Sequence, residues 1–221
     1  MLVGMPLPRK VAGIPIRRLP WHARYVTAAR LASGVRKLQV QLTHQHCTVE
    51  FQGPVHLGPG FALHIPERGT LVVGAGVTFR RDFYCEIAGD GRVEIGAGTT
   101  FTGTAMIQCA TSVSIGTRCA FGQATQIVDG SHNFRDWTRH WSAQGDSNRP
   151  IVIGDGALIH GKCTIINDIG DGSIIGANAV VSRPVPAYCV AVGIPARVVE
   201  YFGPPERRPA GLDLGSPATA R

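Results

Sequence analysis

Bulky apolar residues in this chain recur every six positions, in triplets, and a six-residue period is open to very few folds. The triplets are Phe51, Leu57, Leu63; Val73, Phe79, Cys85; Ile95, Phe101, Ile107; Ile115, Phe121, Ile127; Ile153, Ile159, Ile165; and Ile169, Ile175, Val181. A helix repeats at about 3.6 residues and a half-buried strand at two. Each six-residue unit must therefore combine a short strand with a tight turn. Residues two apart on a strand share a face, so the position two before an anchor should also point inward. Val77, Val93, Thr99, Ala105, Val113, Cys119, Thr125, Ala157 and Cys163 occupy such positions, all small or β-branched. Three units close one triangular coil, and coils stack at about 4.8 Å. The expected fold is an all-β solenoid, a parallel β-helix of hexapeptide repeats, with one ladder running Leu57, Phe79, Phe101, Phe121, Ile159, Ile175. A β-sandwich would alternate apolar residues without holding a fixed step of six.

The joints between triplets carry further information. Five triplets open with an aliphatic residue and a glycine: Val73-Gly74, Ile95-Gly96, Ile115-Gly116, Ile153-Gly154 and Ile169-Gly170. That glycine is expected to relieve the corner. From the end of one triplet to the start of the next the chain takes 10, 10, 8, 26 and 4 residues. The step of 26 marks an excursion loop over 129–150, and long loops on a rigid scaffold tend to carry function. The step of 4 leaves the fifth coil short of two residues at its last corner, and the sequence alone suggests no way to close it.

Residues 21–45 read as a helix and linker, with Trp21, Tyr25, Ala28, Ala32 and Val35 on the side expected to cover the open end of the stack. The solenoid then spans 46–202. Residues 1–20 and 203–221 are proline-rich and expected to be flexible. The 28 Gly and 15 Pro suit a chain of many turns, and 44% hydrophobic residues exclude disorder throughout. The net charge of +7 is concentrated at one end: Arg9, Lys10, Arg17, Arg18, Arg24, Arg30, Arg36 and Lys37 all precede the first acid, Glu50. Such an arm suits weak contact with an anionic surface, and no nucleic-acid partner is expected. Six cysteines without a C-x-x-C pair, and no apolar run of membrane-spanning length, point to a cytoplasmic protein with free thiols.

The run Pro150-Ile151-Val152-Ile153-Gly154-Asp155, with Ile175-Gly176-Ala177-Asn178-Ala179-Val180-Val181-Ser182-Arg183 and Val192-Gly193-Ile194-Pro195-Ala196-Arg197-Val198, resembles the hexapeptide-repeat acyltransferases. That family includes galactoside, maltose, xenobiotic and capsule-sugar O-acetyltransferases, and the resemblance covers about residues 50–202. It implies a left-handed solenoid, a homotrimer, and acetyl-coenzyme A as co-substrate with no metal. It places the catalytic histidine at His132, in Asp129-Gly130-Ser131-His132-Asn133-Phe134, with Asp129 a candidate to orient the ring. Neutral imidazole can take the proton from a hydroxyl attacking a thioester. The same resemblance implies coenzyme A contacts at Gly161, Ala177, Ser182, Arg183 and Arg197, where guanidinium groups suit phosphate. Acceptor contacts are expected at Thr102, Asn133, Trp137 and Trp141. Leu158-Ile159-His160 departs from the family's Trp-Ile-Gly, Thr102 replaces an asparagine, and Glu200 stands where a basic residue is frequent. The acceptor, a sugar or glycan hydroxyl, therefore stays open, as does the acyl chain length.

Two other readings compete. Transfer to an amine of an amino sugar or sugar nucleotide would use the same scaffold. Zinc carbonic anhydrases share the fold, but their histidine pair lies five residues apart, and five past His132 is Trp137; His56, His64 and His160 would have to converge from other coils.

Overall fold

The computed structural model describes residues 16–212 and 214, and its strands keep the predicted step. Three parallel sheets form the faces of a left-handed parallel β-helix. The first face stacks Thr48–Phe51, Thr70–Val73, Arg92–Ile95, Ser112–Ile115 and Ile151–Ile153. The second stacks His56–Leu57, Thr78–Phe79, Thr100–Phe101, Ala120–Phe121, Leu158–Ile159, Ile174–Ile175 and Cys189–Val192. The third stacks Ala62–His64, Tyr84–Ile87, Met106–Cys109, Gln126–Val128, Thr164–Ile165 and Val180–Val181.

The predicted ladder is the core of the second face. Leu57, Phe79, Phe101, Phe121, Ile159 and Ile175 lie opposite one another on successive coils. Phe101 and Phe121 stack at 4.5 Å between ring centroids, 9° from parallel. All the anchors are buried except Phe51 and Leu63 in the first coil, which are half-buried. The nine positions two before an anchor are buried as well. Among the thiols inside the stack, burial and the neighbouring Asp129 push Cys109 up to about 12, so it stays protonated.

The corner glycines serve closeness rather than an unusual dihedral. None of Gly74, Gly96, Gly116, Gly154 and Gly170 has a positive φ. A Cβ at Gly96 would lie 2.4 Å from the carbonyl carbon of Gly116, and one at Gly170 would lie 2.3 Å from Ala187 N. Coils at β-ladder spacing leave no room there for a methyl group. Left-handed backbone occurs one or more residues later, at Gly76 and Gly98 and also at Arg118, Ala124, Lys162 and Asn178.

The short fifth corner closes through side chains. Here the first face thins to single bridges, Ile153 to Ile169 and Ile169 to Val185. Asp168 Oδ1 accepts from Val152 N at 2.9 Å, Asn167 Oδ1 from Asp168 N at 3.0 Å, and Asn167 Nδ2 donates to Ser182 O at 3.1 Å. Two polar side chains thus make the ladder bonds that the missing residues would have made.

The N-terminal helix corrects the expected face. The chain is helical from Ile16–Arg18 through Leu19–His22 and Ala23–Thr27 to the long helix Ala28–Thr43, so the helix begins inside the stretch read as an arm; residues 1–15 lie outside the described residues. Ser33, Arg36, Lys37 and Val40 meet the solenoid, while Val35 is exposed. Nothing is described of the Tyr25 side chain. The reason is chemical: the end of a parallel stack presents unpaired N–H and C=O groups. Ser33 Oγ accepts from Leu57 N at 2.8 Å, Arg36 donates to Leu57 O at 2.9 Å and Lys37 to Gly53 O at 3.3 Å. At the other end the strand Arg197–Tyr201 runs antiparallel to Cys189–Val192. Within the stretch read as a flexible tail, Tyr201 Oη donates to Pro204 O and Arg207 donates to Tyr188 Oη. Residues 213 and 215–221 lie outside the described residues. No helix among the described residues is long and apolar enough to cross a membrane.

Candidate functional site

The solenoid reads straight across the excursion. Val113, Ser114 and Ile115 pair in direct register with Ile151, Val152 and Ile153. The loop leaves from the corner between the third and first faces and forms a hairpin, with Gly130–His132 antiparallel to Asp146–Asn148. The hairpin tip is held from within. Gln144 accepts from Asp136 N and donates to the carbonyls of Asp136 and Arg139, while Asn133 N donates to Gly145 O.

Register brings His132 opposite Asp146. The His132 Nδ1 lies 2.5 Å from Asp146 Oδ1. A carboxylate accepts, so Nδ1 is the donor, and in the neutral ring Nε2 has the lone pair. The Trp141 ring packs against the imidazole, 4.8 Å between centroids. His132 itself remains 65% exposed along its side chain. It opens onto a cleft of about 470 Å³ lined by Glu86, Gln108, Asp129, Gly130, Asp146 and Asn148, among others. A histidine held at one nitrogen and open at the other, on a rigid hairpin, has the form of a proton acceptor.

Asp129 has a different role from the one expected. It is buried and accepts from Ala110 N, Thr111 N and Ser112 N at 2.8, 2.7 and 3.0 Å. Both its oxygens are thus committed to the coil below, and Asp146 is the carboxylate that holds the imidazole. Asp146 was missed because it lies fourteen residues downstream in a polar stretch without periodicity, and only antiparallel register joins the two.

The remaining predicted contacts divide between places. Asn133 braces the hairpin, its Oδ1 accepting from Ser147 and its Nδ2 donating to Gln144 O. Trp137 is 92% exposed at the tip, away from ordinary loop packing. Thr102 donates to Phe121 O on the second face. Gly161 and Ala177 line one groove with Gln123, Lys162 and Asn178, at the corner between the second and third faces. Ser182 and Arg183 sit at the other corner, the one from which the His132 hairpin leaves, two coils further along. Arg197 is exposed beyond them, donating to Ala196 O. One chain therefore does not gather these five residues in a single cleft. Among the described residues no three His, Cys, Asp or Glu side chains are grouped to hold a metal.

No family model matches the chain. It is 28% identical over 214 residues to a probable acetyltransferase of Mycobacterium tuberculosis, covering 89% of this chain and 70% of that protein. It is 33% identical over 132 residues to the serine acetyltransferase of Bacillus subtilis, covering 58% of each, so it spans little more than half of that relative's length. In fold it is similar to a hexapeptide-repeat acetyltransferase of Vibrio cholerae solved with acetyl-coenzyme A, with a TM-score of 0.53 and 24% identity over 81% of this chain and 90% of that one. It is also similar to an N-acyltransferase of Bacillus cereus solved with dTDP and 3-hydroxybutyryl-coenzyme A, with a TM-score of 0.58 and 16% identity over 75% and 88%. Repeat and coil register give this chain the fold of the hexapeptide-repeat acetyltransferases, and in sequence it is similar to acetyltransferases.

Proposed function

We propose that the protein transfers an acetyl group from acetyl-coenzyme A to a hydroxyl of a sugar or glycan precursor, with His132 as general base. The observation that carries this reading is the His132–Asp146 pair, with His132 lining the cleft. His132 Nε2 takes the acceptor's proton as its oxygen attacks, and returns it to the departing sulfur. Asp146 holds the ring in the productive tautomer and stabilises the imidazolium that forms. Acetyl-coenzyme A supplies the activated acyl group. Ser182, Arg183 and Arg197 suit its phosphates, and Gly161 and Ala177 offer backbone at the groove. Because those residues lie on two corners of one prism, the reading includes a homotrimer, in which each groove between subunits combines His132 of one chain with coenzyme contacts of the next.

The test is turnover of purified variants at saturating donor. His132→Ala is expected to lose at least about 10²-fold in kcat while remaining folded. Asp146→Asn, which keeps the shape but not the charge, should lower kcat with the KM for acetyl-coenzyme A unchanged. Turnover near wild type in His132→Ala would overturn the assignment.

A further inference from the structure

The helix Ala28–Thr43 turns two unlike faces to its surroundings. At 3.6 residues per turn, Leu31, Val35, Leu38 and Leu42 fall within an arc of about 60°. Ser33, Arg36, Lys37 and Val40 are centred about 180° away on the same geometry. That second set is held to the first coil, by the bonds to Leu57 and Gly53 and by burial of Val40. Just past the helix, His44 and His46 donate to Leu63 O and Ile65 O, at 3.2 and 2.7 Å. The helix therefore lies across the end of the stack, and its apolar set points away from the solenoid. All four side chains of that set are between 57 and 70% exposed.

Single exposed apolar residues are ordinary on a protein surface, but four in one stripe are not. The residues flanking the stripe, Ala28, Gly34, Gln39 and Gln41, carry no charge. At 1.5 Å per residue the stripe is about 16 Å long, too short to span a bilayer and suited to lying in its surface. Charge selects the occupant. Arg17 and Arg18, in the turn that leads into the helix, and Arg30, on its flank, are exposed. None of the three is in an ion pair among the described residues. A second copy seated on this face would set basic residues against basic residues, because no acid precedes Glu50. An anionic lipid surface answers both the apolar stripe and the uncompensated charge.

We infer that the outward face of this helix docks the protein end-on to an anionic bilayer. Leu31, Val35, Leu38 and Leu42 enter the boundary between headgroups and acyl chains, and Arg17, Arg18 and Arg30 meet lipid phosphates. The inference does not depend on the acyl transfer proposed above. With the helix in the plane of the membrane, the coils stack away from it. The hairpin bearing His132 leaves from the fourth coil, so it stands clear of the lipid.

The experiment is flotation of the full chain with vesicles of phosphatidylglycerol and phosphatidylcholine in equal parts, beside vesicles of phosphatidylcholine alone, across a salt series. Binding is expected on the anionic vesicles. It should weaken as salt rises and persist in part at high salt, because screening acts on the charges and not on the stripe. Combining Leu31→Gln, Leu38→Gln and Leu42→Gln leaves the net charge as it is. That variant should lose about a hundredfold in partition and all of the salt-resistant part. Val35→Trp should gain about threefold, with an added tryptophan emission that bromine-labelled lipid quenches. Thermal unfolding confirms that the variants are folded, and if the triple variant is not, Val35→Trp decides. Sedimentation velocity without lipid should give the triple variant the same mass as wild type. A smaller assembly would assign the face to a second copy and overturn the inference. So would no flotation at any salt, equal flotation with both vesicle types, undiminished binding by the folded triple variant, or a tryptophan at position 35 that lipid does not quench.

Discussion

Asp129 and Asp146 stand at the two ends of one hairpin, and their partners give them separate tasks. Asp129 is buried under three converging N–H groups; Asp146 is half exposed and pairs with His132. Removing the first should therefore cost stability and spare chemistry. Asp129→Ala is expected to lower unfolding stability by about 3 kcal/mol or more, since three donors lose their acceptor. Chemical unfolding checks this, with kcat measured at a temperature where the variant is still folded. A large loss of kcat at unchanged stability would return Asp129 to the catalytic role. At this scale the sequence is legible for His132, whose place follows the last anchor of its coil. It is not legible for Asp146, which shares no local pattern with the histidine and is joined to it by hairpin register.

Among the elements, the short strands were readable and the helix face was not, for a common reason. A strand inside the stack has all its backbone groups paired, so only apolar periodicity decides which side chains turn inward. The helix meets the end of the stack, where the neighbouring backbone lacks partners and polar side chains supply them. Leu31, Val35, Leu38 and Leu42 are left exposed as a result. The corner glycines show the same preference for contact over propensity. Gly96→Ala would press a methyl group onto the next coil's backbone at a spacing the ladder bonds enforce. It is expected to destabilise by about 3 kcal/mol. Gly145→Ala should cost less: its positive φ disfavours a side chain, yet nothing lies within 4 Å of a Cβ there. Thermal unfolding of the two variants beside wild type distinguishes them, and equal losses would remove the role given to coil contact.

Along the whole chain the charge is uneven. Eight basic residues precede the first acid, Glu50, whereas acids and bases after it form mixed pairs such as Arg68–Asp90 and Arg149–Asp168. The N-terminal arm is proposed to hold the protein weakly to anionic polymer or lipid. Co-sedimentation with anionic vesicles at low salt should fall when residues 1–20 are deleted, and should fall in the full chain as salt rises toward a Debye length of about 8 Å. Unchanged co-sedimentation of the truncated chain would show the arm to be a solvated tail. The uninterrupted register across the excursion has one more consequence. Since Val113 meets Ile151 as if the hairpin were absent, the scaffold depends on the excursion only at its base, where Asp129 accepts from the coil below. Reactivity and architecture are then written in separable stretches of the chain, and a different loop of any length that keeps Asp129 and returns to Ile151 could reprogramme the chemistry while the prism beneath stays the same.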